Sequence, residues 1–293
     1  MAPLIVITGP TASGKTSLAL ELAECYDGEI ICADSRTVYR GMDIGTAKPT
    51  VNERRRVPHH LLDVVEPDEH FSVVDFQRQA RAAIADIRSR NKVPFMVGGT
   101  GLYIDSVVLN YNIDTNTISK EELIRSRKAL ESKSIEELQQ LIKKQRLIMP
   151  YNLKNKRHLV GALLRAETPV SADNKPAANV YIVAITTNKD QLEKRIRTRA
   201  EQMFAAGVVD EARSLAQIYG WDNESMTGNI YPLLRQVLNA EITQSEALER
   251  FVIRDRRLAK RQITWLRRHD YIQWLSPDEV RTYITRILGV HEL

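Results

Sequence analysis

The residues Gly9-Pro10-Thr11-Ala12-Ser13-Gly14-Lys15-Thr16 match the pattern GxxxxGK[ST], between a short apolar run from Leu4 to Thr8 and a helix-like pattern from Lys15 to Tyr26. A turn of this composition lets successive backbone amides converge on phosphate oxygens at the positive end of a helix. Lys15 supplies charge to a terminal phosphate, and Thr16 offers a hydroxyl to Mg²⁺. The loop specifies a diphosphate or triphosphate without saying which molecule carries it. A nucleotide hydrolase or kinase would add a carboxylate at the end of a later strand to hold the metal. The run Val93 to Val97 ends instead in Gly98-Gly99-Thr100-Gly101, which counts against ATP hydrolysis.

Asp34 follows a second apolar run, Glu29 to Ala33. In an open α/β sheet the carboxyl ends of the strands share one edge, where ligands bind. An isolated aspartate after a strand is more often a turn or helix-cap residue. Beside a phosphate loop, it reads better as a general base or as a metal ligand through water.

The elements that must position these groups follow from periodicity. Ser72 to Arg90 has apolar residues at Val73, Phe76, Ala80, Ile84 and Ile87, the spacing of a helix face, and the strand-like run Val93 to Val97 comes next. Strands alternating with helices imply a parallel sheet flanked by helices, here a P-loop NTPase-like α/β fold. Around Tyr111 the texture changes to short charged helices. Ser119 with Glu122 and Ser134 with Glu137 fit the capping box that marks a helix start. Leu153 to Glu167 reads as a third helix despite Gly161, and Ser171 to Ala178 as a linker. Val180 to Ile185 resumes the sheet, and the remainder from Lys189 is mostly helical. The reading is therefore a core of residues 1–110 and 178–293 interrupted by a helical insertion, 111–177.

Hydrophobic residues make up 43% and charged residues 27% of 293, ordinary for a globular protein and too apolar for wholesale disorder. Cys25 and Cys32 have neither redox nor zinc spacing, which suits a reducing compartment. The apolar run at the N-terminus is too short for a signal peptide or membrane span, so a cytoplasmic protein is expected. The net charge of +5 permits a polyanionic partner but does not require one. Its distribution is more telling, because eight basic residues and one carboxylate lie between Arg250 and Arg268. At about 100° per residue, Arg250, Arg254, Arg257, Arg261, Thr264 and Arg268 form one stripe. Leu248, Phe251, Val252, Leu258, Ala259, Ile263, Trp265 and Leu266 occupy the opposite side. A ridge of cations and hydroxyls without carboxylates fits phosphate contact better than a solvated face. Asp255 and Gln262 fall inside the apolar arc and require specific partners there.

Taken together, the motifs resemble the bacterial tRNA dimethylallyltransferases. Besides the phosphate loop, the matches are Asp34-Ser35-Arg36 followed by Tyr39, Asp43-Ile44-Gly45-Thr46-Ala47-Lys48-Pro49, and Pro58-His59-His60-Leu61. Further along are Phe71-Ser72 with Asp75-Phe76, Gly98-Gly99-Thr100-Gly101-Leu102-Tyr103, and Arg261-Gln262 with Thr264-Trp265. They span almost the whole chain in the family's order.

The resemblance implies transfer of a dimethylallyl group from dimethylallyl diphosphate to the exocyclic N6 amine of the adenine next to the anticodon. It implies that Asp34 is the general base, that Thr100 helps place substrate, and that Arg199 contacts the leaving diphosphate beside Mg²⁺. The insertion would embrace the anticodon stem-loop. Ser35, Arg36, Thr37, Arg157, His158, Arg257, Lys260, Arg261, Gln262, Thr264, Trp265, Arg267 and Arg268 would contact tRNA. A monomer without membrane association is implied. The chain departs from the family where Gly161-Ala162-Leu163-Leu164 replaces the usual Arg-Ala-Leu-Glu, and where the later glycine-tyrosine motif reads Gly228-Asn229-Ile230-Tyr231. Two other readings of the same residues are a P-loop kinase of a small metabolite, with Arg195, Arg197 and Arg199 as lid arginines, and a nucleotide-gated RNA-binding protein.

Overall fold

The computed structural model describes residues 1–113, 120–150, 153–154, 156–167 and 170–289. In chain order the first elements are β1 (Leu4–Thr8), α1 (Lys15–Cys25), β2 (Gly28–Cys32), α2 (Val51–Arg56), β3 (His59–His60), α3 (Val73–Ser89), β4 (Val93–Gly98) and α4 (Gly101–Val108). There follow β5 (Asn112–Ile113), α5 (Lys120–Glu131), α6 (Ile135–Lys144), α7 (Lys156–Glu167) and β6 (Val170–Ser171). The last are β7 (Val180–Ile185), α8 (Lys189–Ala205), α9 (Val208–Tyr219), α10 (Tyr231–Leu238), α11 (Gln244–Leu266), β8 (Gln273–Leu275) and α12 (Pro277–Leu288). Two compact units result, Met1–Val108 with Lys175–Leu293, and Leu109–Asn174.

In the first unit, six strands form one parallel sheet in the order β3-β2-β4-β1-β7-β8, a P-loop NTPase-like arrangement. The central strand is the apolar run Leu4 to Thr8, buried along its full length between β4 and β7. Side chains alternate across a strand, so Ile5 and Ile7 share a face with Ile30, Phe95, Val97, Val183 and Ile185. Leu18, Ala19 and Leu22 of α1 and Val280 and Ile284 of α12 cover that face. Each fully buried large side chain contributes about 1.5–3 kcal/mol, which fixes the register that brings the strand ends together.

Local signals set the helix starts. Ser72 accepts from the Asp75 amide while Asp75 accepts from that of Ser72, a reciprocal cap that starts α3. Phe76, one turn in, stacks on Tyr103 of α4 at 4.2 Å, with Phe71 edge-on to the same ring at 6.4 Å. Two of the sequence motifs are thus a helix start and the aromatic contact that docks α3 on α4. The same reciprocal cap opens α6 at Ser134 and Glu137, α11 at Thr243 and Glu246, and α12 at Ser276 and Glu279.

The second unit packs α6 and α7 around Leu138, Ile142, Leu159, Val160, Leu163 and Leu164. The third helix starts at Lys156 rather than Leu153, and it runs through Gly161 because its flanking residues are buried. Tertiary packing there outweighs the roughly 1 kcal/mol helix penalty of glycine. The stretch read as a linker begins in an antiparallel pair, with Asn112 opposite Ser171 and Ile113 opposite Val170. The cap expected at Ser119 lies outside the described residues. Among the described residues, no helix is long and apolar enough to cross a membrane.

Candidate active site

The phosphate loop leaves β1 at Gly9 and enters α1 through Gly14, whose φ of 91° is a left-handed conformation that suits glycine. Ser13 donates its amide to Pro10 O at 3.2 Å, and Arg195 Nη1 holds Ser13 O at 3.0 Å. Lys15 Nζ rests on Pro10 O at 3.2 Å. Burial of that ammonium lowers its pKa to about 8; Arg199 pushes the same way, while Asp34 and Asp255 oppose it. An anion placed beside it would raise that pKa again, because an opposite charge favours the charged form.

The ends of β2 and β4 are joined at close range. Ala33 donates to Val97 O at 2.8 Å, and Thr100 N donates to Ala33 O at 3.2 Å. A Cβ on Gly98 would lie 2.0 Å from Ala33 O, so no side chain fits there. Cβ atoms on Gly99 and Gly101 would meet the Gln262 amide at 2.4 Å and the Trp265 ring at 2.2 Å. The glycine-rich strand end is therefore shaped by its approach to β2 and α11. Thr100 Oγ1 accepts from Ser35 N at 3.0 Å, and Asp34 Oδ1 accepts from Arg36 N at 2.8 Å. Among the described residues no hydrogen bond reaches Asp34 Oδ2.

A cavity of about 310 Å³ opens above these strand ends. Thr11, Lys15, Thr16, Asp34, Ser35, Arg36, Thr37, Thr100, Arg199, Arg261 and Gln262 all line it. Residues separated by more than two hundred positions thus share one cleft. Its wall also includes Ile30, Cys32, Val97, Pro49 and Leu258, an apolar stretch beside the polar loop. Burial raises the Cys32 thiol pKa to about 12, so it stays protonated and behaves as an apolar lining residue.

The two polar residues that interrupt the apolar arc of α11 have internal partners. Gln262 Oε1 accepts from Thr11 N at 2.7 Å, and its Nε2 donates to Gly99 O at 3.1 Å. One side-chain amide thereby ties the phosphate loop to the end of β4. Asp255 accepts from Arg199 Nη2 and, at 2.8 Å, from Asn229 Nδ2. Trp265 donates its indole N–H to Asp105 Oδ2 at 2.8 Å, and Arg268 stacks over the ring at 5.1 Å. Burial raises the Asp105 pKa, partly offset by His269, whose Nε2 lies 3.3 Å from the same carboxylate.

Several other residues expected at the RNA are held within the protein. Thr37 is buried with its hydroxyl on Asp34 O at 3.4 Å. Arg36 donates to Glu224 O at 2.8 Å and reaches Thr227 Oγ1 at 3.3 Å. On the α11 ridge, Arg250, Arg257, Arg261, Thr264 and Arg268 are exposed, as are Lys260 and Arg267. Arg254 leaves the stripe, donating to Asn229 O at 3.1 Å. In the other unit His158 is exposed on α7, and the side chain of Arg157 lies outside the described residues.

Sequence reasoning missed Glu211. From α9 its carboxylate accepts from the amides of Asp43, Ile44 and Gly45 at 2.8, 2.6 and 2.9 Å, and from Tyr231 Oη at 2.8 Å. It thereby fixes the loop whose Gly45, Thr46 and Ala47 line the cleft. The base of that loop is held by buried Lys48, whose Nζ bonds Tyr39 O at 2.7 Å, Asp43 at 2.8 Å and Asp63 at 2.5 Å. No local spacing signals a carboxylate that serves amides more than 160 positions away. Among the described residues, no group of three or more His, Cys, Asp or Glu side chains could hold a metal ion.

The family model described as IPP transferase matches residues 37–269. A tRNA dimethylallyltransferase of Pelotomaculum thermopropionicum is 38% identical over 288 residues, covering 94% of this chain and 90% of its own. One from Streptococcus pneumoniae is 41% identical over 265 residues, covering 90% and 89%. Among solved structures, the full-length tRNA isopentenylpyrophosphate transferase of Bacillus halodurans is 34% identical with a TM-score of 0.74. That similarity covers 99% of this chain and 97% of the other.

Proposed function

The chain belongs to the IPP transferase family and transfers a dimethylallyl group to tRNA, and from that premise we propose that dimethylallyl diphosphate is the donor, bound by the phosphate loop, with Asp34 as general base. The observation that carries this reading is the convergence of Lys15, Thr16, Asp34, Thr100 and Arg199 on one cleft with an apolar wall. The diphosphate rests on the amides of residues 9–16, against Lys15 and Arg199. The dimethylallyl tail faces the apolar stretch.

The acceptor is the exocyclic N6 of the adenine next to the anticodon. That amine is a weak nucleophile because its lone pair is delocalised into the ring, so loss of its proton must accompany attack. As the N6–C1 bond forms and the C1–O bond to diphosphate breaks, the proton passes to Asp34 Oδ2. The Arg36 amide keeps Oδ1 occupied and the carboxylate in place. Thr100, held by the Ser35 amide, positions the base beside the allylic carbon. Negative charge grows on the departing diphosphate, where Lys15, Arg199 and the loop amides stabilise it.

Mg²⁺ fits the hydroxyl and carboxylate oxygens of Thr16 and Asp34 in the cleft, as a hard cation that keeps several waters and takes few protein ligands. Thr16 would hold it, and when bound it would supply charge neutralisation on the diphosphate. The target base must be extruded or already unpaired to present its amine in the cleft. The exposed basic residues of α11 contact the anticodon stem-loop, and the helices α5 to α7 supply contacts of their own. The protein works in the cytoplasm as a monomer.

Incubation with unmodified tRNA and dimethylallyl diphosphate tests the proposal, read as a prenyl mass increment on one adenosine with release of diphosphate. Consumption of ATP without RNA modification would replace it with a kinase. RNA binding with neither reaction would leave a binding module.

A further inference from the structure

Asp255 lies on α11 between Arg254 and Arg256, yet it is only 2% exposed. Its neighbours Phe251 and Val252 are buried in the same arc. A carboxylate removed this far from water is strongly unfavourable unless its charge and both oxygens are satisfied. Two residues satisfy it. Arg199 of α8 donates through Nη2 to Oδ2, and Asn229 donates through Nδ2 to Oδ1 at 2.8 Å. Asn229 is itself held, its carbonyl accepting from Arg254 Nη1 at 3.1 Å. Asp255, Asn229 and Arg199 line the same cleft as Lys15.

Arg197, a second arginine of α8, also reaches α11, where Glu249 takes both its terminal nitrogens at 2.6 and 2.8 Å. That pair is exposed on both sides and uses up the fork. Arg199 differs, because Asp255 takes only its Nη2 while the residue lines the cleft, and among the described residues no hydrogen bond reaches Nη1. A guanidinium that lines a cleft with donors to spare is suited to an anionic ligand.

The geometry points to Asp255 as a positioning residue that grips Arg199 through Nη2 and leaves the rest of the guanidinium for the diphosphate of the prenyl donor. This rests on the proposed contact between Arg199 and that diphosphate. A guanidinium is a rigid planar fork with five donors, so fixing one edge fixes the direction of the others. An untethered arginine would lose its rotamer freedom at each binding event. Asp255 therefore acts on the diphosphate only through Arg199, and Asn229 keeps the carboxylate from turning.

The test is a double-mutant cycle on the full chain with inorganic pyrophosphate as the probe, its affinity measured by calorimetry for the parent, D255N, R199Q and the double variant. Steady-state KM for the donor and kcat are measured beside tRNA affinity. D255N is expected to weaken pyrophosphate and raise donor KM by roughly tenfold, the equivalent of about 1.4 kcal/mol. In the R199Q background the same change should cost less than about twofold, with tRNA affinity unchanged in every variant. D255E should recover part of the loss. If D255N does not fold, N229A takes its place with a smaller effect and the same disappearance in R199Q. Losses that add independently, or intact pyrophosphate binding in D255N while R199Q is impaired, overturn the positioning role. Unimpaired binding in R199Q itself would instead remove the diphosphate contact on which the inference stands.

Discussion

Replacing Gln262 by alanine removes both bonds that tie the phosphate loop to the end of β4, those at 2.7 Å to Thr11 N and 3.1 Å to Gly99 O. Each neutral hydrogen bond is worth about 0.5–1.5 kcal/mol. The pair therefore predicts roughly 1–3 kcal/mol of lost stability, read as a lower denaturant midpoint with an unchanged slope. Because Thr11 belongs to the loop that grips phosphate, donor KM should rise while tRNA affinity stays within about twofold of the parent. Gly99→Ala provides a second route to the same state, since its Cβ would sit 2.4 Å from Gln262 Nε2 and must push the amide aside. Its effects should match those of Gln262→Ala and not add to them. Gly98→Ala should be far worse, because its Cβ would lie 2.0 Å from the Ala33 carbonyl oxygen, part of a backbone that cannot swing away. An unchanged midpoint and donor KM in Gln262→Ala, with a weakened tRNA complex, would refute this reasoning and return Gln262 to the RNA surface expected from sequence.

Lys15→Ala and Thr16→Ala should impair use of the donor and of Mg²⁺ while leaving tRNA affinity nearly intact; equal loss of tRNA binding in both variants would contradict the loop's assignment. Asp34→Asn keeps the Arg36 contact possible but removes the base, so turnover should fall by roughly 10²–10⁴-fold, and near-normal turnover would place the base elsewhere. Arg257→Ala and Arg261→Ala, both exposed on α11, should each lower the salt slope of tRNA binding by about one contact, whereas parental slopes in both would withdraw the ridge from the RNA site. Arg90, helped by His60, holds the buried Glu29 carboxyl at a pKa of about 2 against the desolvation that opposes it. A depressed carboxylate stabilises the fold above its unfolded pKa near 4.5, and that stability fades as pH falls from there towards 2. The loss is at most about 3 kcal/mol by linkage, and denaturant midpoints of Glu29→Gln should be flatter than the parent's across that window.

Features encoded by neighbours in the chain were legible in the sequence. The phosphate loop is contiguous, because backbone amides cradle an anion only when successive residues turn together. The strands β1, β4 and β7 were visible as apolar runs, and the reciprocal cap of α6 needs only residues three apart. Asp34 could be placed at the rim because strand ends share an edge in a parallel sheet. The edge strands β3 and β8, of two and three residues, left no periodic trace, since so short a pairing depends on the strand beside it. Periodicity marked Asp255 and Gln262 as polar residues on an apolar arc, but not whom they serve.

Their partners, like those of Glu211 and Lys48, were decided by tertiary structure alone. Gln262 meets Thr11 across 251 positions, and Glu211 meets the amides of Asp43, Ile44 and Gly45 across 168, 167 and 166. A buried polar group must find a hydrogen bond somewhere, and that requirement can be read from one residue. Which group answers it depends on the strand order and on how α8, α9 and α11 lie beside the sheet, and no local pattern carries that information.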